Sequence, residues 1–354
     1  MIYYICMLTS VVFLTMGGRH AGDVRTRRIA NFVAIGILVA FAGIRDRTVG
    51  TDTSNYVRMF ERIVDTSSVV TSSTEPGFVL LIWLSKLFSH SYVSSLTFIA
   101  AAVVIPYSMT IVRMVKRYEA GFFIFITQGA YTFGFNGARQ AIAAAVCFWS
   151  IRYVIDRKLF PFLICVATAT LFHKTALVAV ALYFVAWRTV GLFRLASVGV
   201  LISGIAIYID SLTLLAADLL NDRYSIYGQS IDRVGGVFTT AFLCAQGAAL
   251  YALRSYAASH AVAYNRLLNI YIVALVPAIV TVLAGLHPSG LMRVHWYFST
   301  VSILMWPMVF DSILDRRSRS FVGIPFFLVN VAHFVLATMA FSNLTPYRLN
   351  WELL

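Results

Sequence analysis

The stretch "IANFVAIGILVAFAGIRDRTVGTDTSNY", residues 29–56, decides the fold of this chain. Its first sixteen residues are largely apolar, whereas the loop that follows at once contains two arginines and two aspartates. An apolar run followed directly by charge is typical of a helix that ends at the surface of a membrane. Similar apolar runs, separated by short polar segments, recur along the rest of the chain.

The composition places the chain among integral membrane proteins. Its 354 residues are 60% hydrophobic and 12% charged, with a mean hydropathy of +0.80, whereas soluble domains carry about 25% charged residues. Apolar runs fill nearly the whole length, so no polar stretch is long enough for a separate soluble domain. We therefore expect residues 1–354 to form a single transmembrane helical domain.

The apolar runs predict an all-α bundle of about twelve transmembrane helices. A helix needs about 20 residues to cross the hydrocarbon core. The run at 77–89 is too short and predicts a re-entrant or interfacial helix, and the pair at 159–172 and 174–187 is too short for two full crossings. The predicted spans lie near residues 2–16, 29–44, 93–113, 119–136, 138–156, 159–172, 174–187, 194–210, 236–254, 266–286, 292–312 and 321–341.

Basic residues predict the orientation of the bundle. They concentrate in alternate connections, for example Arg25, Arg27 and Arg28 after the first span, and Arg157 with Lys158 after the span at 138–156. Cytoplasmic loops carry such an excess, so we expect both termini on the outer face. The net charge of +13 then reflects orientation, and it predicts no nucleic-acid partner.

Seven polar clusters fall on the outer face in this topology, and their convergence predicts a functional site there, with loops near 45–76 and 211–235. The cytoplasmic loops are short and lack a Gly-rich phosphate loop, which argues against nucleotide chemistry inside the cell. The clusters are "RDRTVGTDTSNY" at 45–56, "TEPGF" at 74–78, "FNGARQAIAAA" at 135–145, "FHKTAL" at 172–177, "DRYSIYGQS" at 222–230, "LMRVHWYF" at 291–298 and "TPYR" at 345–348.

Each cluster also has a purely structural interpretation. Asp52 precedes an amphipathic stretch and fits the N-cap position, and Glu75, which precedes a proline, fits a carboxylate that complements the helix dipole. His173 fits a packed histidine, and Arg293 fits a side chain that extends toward lipid head groups. The structural interpretation is weakest for Arg139, because an arginine at the start of a span is costly unless it is paired.

The combination of motifs resembles the EpsG family, a group of Wzy-type polysaccharide polymerases. The resemblance rests on "RDRTVGTDTSNY", "EPGF", "FNGARQAIA", "FHKTAL" and an arginine ahead of "YF", and it is most specific from about residue 43 to 180. The chain has Ala138 where the family usually has isoleucine. The resemblance implies a bacterial inner-membrane enzyme, with a fold similar to the GT-C-like glycosyltransferases that use lipid-linked sugars.

The resemblance also implies an activity and its partners. Undecaprenyl-diphosphate-linked oligosaccharides would be both donor and acceptor, and their joining on the periplasmic face would build O-antigen or exopolysaccharide. Membrane lipids and a chain-length regulator protein are the further partners expected. The reaction needs cations for the diphosphate and a base for the acceptor hydroxyl. Because no acidic and histidine cluster has metal-ligand spacing, we expect a metal-independent reaction without a cofactor.

Three groups of residues are predicted for these tasks. The diphosphate is expected to be bound by arginines, namely Arg139 and Arg293, followed by Arg45 and Arg223. The base is expected to be Asp52, followed by His173 and then Glu75. The sugars are expected to contact polar and aromatic side chains, namely Tyr56, Asn136, Gln140, Tyr224 and Tyr227.

Other protein classes share part of this pattern. A lipid-linked oligosaccharide flippase would have the same span count and basic charge, but it should carry charge along a central cavity rather than on one face. An O-antigen ligase or a surface-glycan acetyltransferase would keep an outer-face site with a different acceptor. The one-sided clustering argues against the flippase, and the motifs argue against the other two.

Overall fold

The computed structural model describes residues 1–63, 74–187, 191–218, 233–313 and 315–350, with side chains given except at 210–218, 233–234 and 316. Within these ranges the chain is all-α, as predicted, and the one backbone pairing of strand type joins Arg45 to Leu349. The α-helices are α1 (Ile2–His20), α2 (Val24–Gly43), α3 (Thr53–Arg62), α4 (Pro76–Lys86), α5 (Tyr92–Met114), α6 (Tyr118–Thr127), α7 (Ala130–Asn136), α8 (Ala138–Ile155), α9 (Leu159–Thr170), α10 (Ala181–Val185), α11 (Leu192–Asp218), α12 (Arg233–Ala252), α13 (Ala261–Leu283), α14 (Ser302–Ser312) and α15 (Arg316–Leu336). Short 3₁₀ segments lie at Lys174–Val180, Leu253–His260, Leu291–Tyr297 and Ser299–Val301, and a π-helical turn at Ala337–Phe341 ends α15.

The prediction of twelve spans is not confirmed. In the described residues, six segments are long and apolar enough to cross a membrane. The longest, Gly235–Leu283, covers both α12 and α13. These two helices form an antiparallel hairpin, because the hydroxyl of Tyr271 donates to the carbonyl of Leu243 and that of Tyr264 to Leu250. The other five segments are Ile2–His20, Val24–Gly43, Tyr92–Met114, Leu192–Ile209 and Arg317–Phe341.

Backbone breaks explain much of the difference. The run predicted as one span at 119–136 is two short helices, α6 and α7, which separate at Gly129, where φ is +86°. The run at 292–312 begins with 3₁₀ segments and becomes α-helical only at Ser302. The runs predicted to be short are short, since α4 has 11 residues and α9 has 12. Hydropathy alone does not reveal such breaks, because they leave the apolar composition unchanged.

Helix α8 lies at the centre of the bundle. Its run of small residues is fully buried, with Ala143 and Ala145 at 0% exposure, and small side chains allow neighbouring helices to approach closely. One turn further along, Phe148 stacks on Tyr107 of α5 with ring centroids 4.6 Å apart. The polar N-terminal turn of this helix is thereby held between its neighbours at one end of the bundle.

The two ends of the bundle have different character. At one end, here called the site end, the Tyr4 hydroxyl donates to the Leu344 carbonyl and the Asp46 amide donates to the Arg348 carbonyl. At the opposite end, here called the basic end, Arg19 pairs with Glu119. The alternation of basic loops across the membrane stays a prediction. Which end faces the outside stays a prediction.

A glycine in the predicted motif "EPGF" joins two helices at the site end. The amide of Gly77 donates to the carbonyl of Leu171 at 2.9 Å, and a Cβ on Gly77 would lie 2.8 Å from the same oxygen. We expect Gly77→Ala to lower the free energy of unfolding by roughly 1–3 kcal/mol through overpacking, measured by thermal denaturation in detergent. Gly36→Ala is the matched control, because a Cβ on Gly36 meets nothing within 4 Å, and an equal loss in both variants would contradict the assignment.

Candidate functional site

The loop from residue 44 to 52 is held in place by Arg45, which is 1% exposed. The Arg45 guanidinium lies 4.2 Å from the ring centroid of Phe135, and it donates to the carbonyl of Ala42 and to the Thr53 hydroxyl. The burial of Arg45 argues against its predicted role as a diphosphate ligand, which stays a prediction, because a side chain enclosed in the core is not accessible to a substrate. Arg45 instead fixes the loop against α7.

Asn136 joins the loop to the C-terminal segment. Its carboxamide oxygen accepts from the amide of Thr51 at 2.8 Å, and its nitrogen donates to the carbonyl of Ser342 at 2.7 Å. Gly50 makes this approach possible, since its φ is +94° and a Cβ there would lie 2.7 Å from the Asn136 oxygen. The Asn136 carboxamide, which the sequence predicted to bind sugar, is thus largely occupied by hydrogen bonds to backbone groups.

Two further residues predicted to bind sugar are buried and position α8. The Tyr56 hydroxyl accepts from the amide of Ala138 at 2.8 Å and satisfies the first orphan amide of that helix. The Gln140 carboxamide donates to the carbonyl of Arg293 at 3.0 Å. Tyr56 and Gln140 are 8% and 5% exposed, and both make hydrogen bonds that position backbone, whereas direct contact with sugar stays a prediction.

Glu75 is the centre of a charged cluster at the site end. One carboxylate oxygen lies 2.5 Å from the guanidinium of Arg139, and the other lies 3.1 Å from Nδ1 of His173. Burial alone would raise the pKa of Glu75, but the hydrogen bond from His173 and the charge of Arg139 outweigh it and lower the pKa to about 2. Three motifs that are distant in sequence therefore meet in one ion-pair network.

Asp52 does not cap the helix that follows it. It occupies the N-cap position of α3, yet its side chain makes no capping hydrogen bond. Burial raises the pKa of Asp52 above its ordinary value of 3.8, while the nearby charges of Arg293 and Arg139 lower it. The carboxylate therefore lies within electrostatic reach of both arginines, and the capping interpretation loses its main support.

Arg293 lies on the 3₁₀ segment Leu291–Tyr297 beside this cluster. Its guanidinium is 5.9 Å from the ring centroid of Phe133, and no carboxylate of the described residues forms an ion pair with it. The segment is fixed by Tyr297, whose hydroxyl lies 3.1 Å from that of Thr175. Arg293 thus offers a cationic group whose charge is not neutralised by an ion pair within the described chain.

A cavity of about 290 Å³ opens next to Arg293 and Asn136. Aromatic rings line it, among them Phe133 and Trp296, which stack with centroids 4.8 Å apart. Its deeper wall carries polar groups from within the apolar segments. These are Gln128, Gln246, His295, Ser302 and His333.

Sequence reasoning missed the polar network behind this cavity. The Gln128 carboxamide donates to Asn330 at 2.9 Å and accepts from the Ser302 hydroxyl at 2.9 Å. Nδ1 of His333 lies 3.0 Å from the carbonyl of Thr127. A signal was present, because Asn330 and His333 are three residues apart in an apolar helix, where polar side chains usually have a function.

The structure brings together five predicted site residues that remain candidates for chemistry, namely Asp52, Glu75, Arg139, His173 and Arg293. The predictions for Arg223, Tyr224 and Tyr227 lie outside the described residues, as does most of the predicted loop at 211–235. The charged cluster and the aromatic cavity together form the candidate site.

Comparison with known proteins gives one finding. The model of a family described as the EpsG family matches residues 28–349. No curated protein matches the chain, and no solved structure matches it. The predicted likeness to GT-C-like glycosyltransferases therefore stays a prediction, whereas the family resemblance extends well beyond the motifs that suggested it.

Removal of the Glu75 charge should destabilise the folded protein. We expect Glu75→Gln to lower the free energy of unfolding by roughly 1–3 kcal/mol, because it removes the charge from the hydrogen bonds that the buried carboxylate accepts from Arg139 and His173. Since the folded-state pKa of Glu75 is about 2 and its ordinary value is 4.5, this contribution is present above pH 4.5 and is lost as the pH falls toward 2. Denaturation curves at several pH values in detergent measure both effects.

The control for this variant is Glu61→Gln, which removes an exposed carboxylate from α3. It should leave stability nearly unchanged at every pH. Equal stability of Glu75→Gln and the wild type at pH 7 would contradict the structural role of the ion-pair network.

Proposed function

The chain belongs to the EpsG family, and on that premise we propose that it is a polysaccharide polymerase. It joins oligosaccharide repeat units carried on undecaprenyl diphosphate into O-antigen or exopolysaccharide. The observation that carries the proposal is the convergence of Arg139, Arg293 and Asp52 beside an aromatic cavity at one end of an apolar bundle. Membership of a family implicated in exopolysaccharide synthesis supports the same conclusion.

The proposed location is the bacterial inner membrane, with the site end and both termini in the periplasm. Nucleotide sugars are absent from that side, so a glycosyl donor there must carry its own leaving group. A polyprenyl diphosphate is such a group, and the apolar surface of the bundle suits its lipid chain. Donor and acceptor are both lipid-linked, and a chain-length regulator protein is the proposed protein partner.

The reaction follows from these groups. The acceptor hydroxyl oxygen attacks the anomeric carbon of the donor, and the bond from that carbon to the diphosphate oxygen breaks with its electron pair. The released undecaprenyl diphosphate gains negative charge, which arginine side chains stabilise by bidentate hydrogen bonds. The acceptor proton passes to a base. In this proposal the reaction uses no metal ion and no cofactor.

Arg293 is the stronger candidate for the diphosphate and Arg139 the second. The charge of Arg293 is not offset by an ion pair with a described carboxylate, and its side chain lines the cavity. Arg139 is partly offset by Glu75, and its side chain remains 43% exposed, so a ligand at the site end can approach it. The ion pair with Glu75 also fixes the orientation of the Arg139 guanidinium, so this side chain loses less conformational entropy when it binds an anion.

Asp52 is the proposed base. Glu75 is unsuited to this role, because Arg139 and His173 occupy its two oxygens and its pKa is about 2, far below an operating pH near neutrality. The raised pKa of Asp52 makes that carboxylate a better proton acceptor than an ordinary aspartate. His173, oriented by Glu75 at 3.1 Å, is the alternative base, and the pH profile below distinguishes the two.

The aromatic cavity is the proposed binding site for the sugar nearest the reacting bond. The stacked faces of Phe133 and Trp296 suit the apolar faces of pyranose rings, and the Gln246 carboxamide suits their hydroxyls. This cavity takes over the sugar-binding role that the sequence predicted for Tyr56 and Gln140.

Incubation of the purified protein with lipid-linked repeat units should give a ladder of products on a sizing gel. Arg293→Ala or Arg139→Ala should reduce the rate of laddering by about 10²-fold or more, because each removes charge stabilisation of the leaving group. Arg58→Ala, an exposed change on α3, is the control. Unchanged single units with efficient transport in vesicles would indicate a flippase, and a single transfer to a lipid A acceptor would indicate a ligase; either result overturns the polymerase.

The pH dependence of the rate tests the base. A base acts only when deprotonated, and burial raises the pKa of Asp52 above 3.8, so the wild-type rate should fall with decreasing pH at a pH above 3.8. Asp52→Asn should lower the rate by roughly 10²–10⁴-fold and remove this acid limb. Asp46→Asn, in the same loop, should retain both rate and limb. The opposite result would identify His173 as the base: the fall in rate at low pH would disappear in His173→Gln and would persist in Asp52→Asn.

A further inference from the structure

A second cavity, of about 540 Å³, lies at the basic end, opposite the candidate site. We call it the basic cavity. The ends of several helices surround it, and its volume is within the range of about 300–1,000 Å³ that is typical of small-molecule sites. Its lining residues are Arg19, Arg27, Arg28, Asn31, Val112, Arg113, Met114, Val115, Lys116, Tyr118, His260, Pro307, Met308 and Asp311.

The carboxylates near the basic cavity pair with only some of its cationic side chains. Asp311 accepts from His260 at 3.1 Å and lies 3.6 Å from the Lys116 ammonium. Glu119 pairs with Arg19 at 2.9 Å. Within the described ranges, the arginines of the other lining positions, namely Arg27, Arg28 and Arg113, form no ion pair. Within the part of the chain that the structure describes, three guanidinium groups of the lining are therefore not offset by an ion pair.

Two of these arginines lie where a helix disfavours them. Arg27 and Arg28 follow the N-cap Asp23 of α2 within the first turns, close to the positive end of the helix dipole. Cations are disfavoured near this end of a helix, whereas a bound anion is stabilised there. Burial and the like charges of Arg319 and Arg19 lower the pKa of nearby Arg117. The local potential is thus positive enough to favour an anion.

The surroundings of the basic cavity are apolar as well as cationic. Val112, Pro307 and Met308 form part of its wall. On α2, the side chains of Ile29 and Phe32 alternate with Arg28 and Asn31 and are 54% and 77% exposed. A soluble anion would not bury this apolar surface, whereas the acyl chains of a lipid would cover it.

We propose that the basic cavity binds the phosphate of an anionic phospholipid head group, with phosphatidylglycerol as the probe. Arg27, Arg28 and Arg113 bind the phosphate oxygens, because the guanidinium fork matches them bidentately. The acyl chains lie along the exposed face of α2. This site is separate from the glycosyl-transfer site, and it does not depend on the proposed function.

The test titrates delipidated, detergent-purified protein with phosphatidylglycerol and with phosphatidylcholine, and counts bound lipid by native mass spectrometry. We expect one phosphatidylglycerol to bind at least tenfold more tightly than phosphatidylcholine. Simultaneous change of Arg27, Arg28 and Arg113 to Gln should weaken phosphatidylglycerol binding by at least tenfold. Simultaneous change of the same three to Lys, which keeps the charge and loses the fork, should weaken it less.

The matched control changes three other cations of the basic end to Gln, namely Lys158, Arg254 and Arg317, which lie outside the cavity. It removes the same net charge and should leave the affinity within about twofold of wild type. Equal wild-type affinity for both lipids, or an equal loss in the control, would overturn the proposal. Binding of glycerol 3-phosphate or inorganic phosphate as tightly as phosphatidylglycerol would identify a soluble phosphate site instead and would overturn the lipid assignment.

Discussion

A charged group inside an apolar bundle must find a partner there, because no water is available to replace one. Three arginines at the site end meet this constraint in three ways. Arg45 lies over an aromatic ring and donates to backbone and a hydroxyl, Arg139 pairs with a buried carboxylate, and Arg293 faces a cavity. The division between scaffold and candidate chemistry follows from this difference, because the Arg45 side chain is buried, whereas that of Arg139 is 43% exposed and that of Arg293 lines the cavity.

Composition and motif position were sufficient to predict the helical class and the convergence of Glu75, Arg139, His173 and Arg293 at one end. The roles of individual residues were harder to predict, because burial depends on contacts between distant segments. Tyr56 caps a helix that begins 82 residues later, and Gln128 bonds to Asn330 across 202 residues. Nothing local to "TSNY" or "ITQG" reveals such partners, so these assignments required the folded chain.

The cavity at the site end is built from interrupted helices. The break at Gly129, the 3₁₀ segment Leu291–Tyr297 and the π-helical turn Ala337–Phe341 all contribute to its wall. Irregular backbone is tolerated in an apolar region only where it is buried in protein or faces a cavity, and π-helical turns often occur at functional sites. The same interruptions reduced the number of full-length spans below the twelve that hydropathy suggested, so the error in the span count and the presence of the cavity share one cause.

Contacts between early parts of the chain and the C-terminal segment affect the order in which the site assembles. The loop at 44–52 takes part directly, because the amide of Gly50 donates to the carbonyl of Asn343. The Asn136 side chain reaches Ser342, 206 residues later, and the Tyr4 hydroxyl reaches Leu344 across 340 residues. Chains emerge from the ribosome N-terminus first, and helices insert in that order. The loop that carries Asp52 is therefore synthesised long before the C-terminal residues that it contacts. A chain that is still being synthesised therefore has the arginines and the carboxylates but lacks the C-terminal contacts that align them, so the proposed glycosyl transfer requires the finished fold.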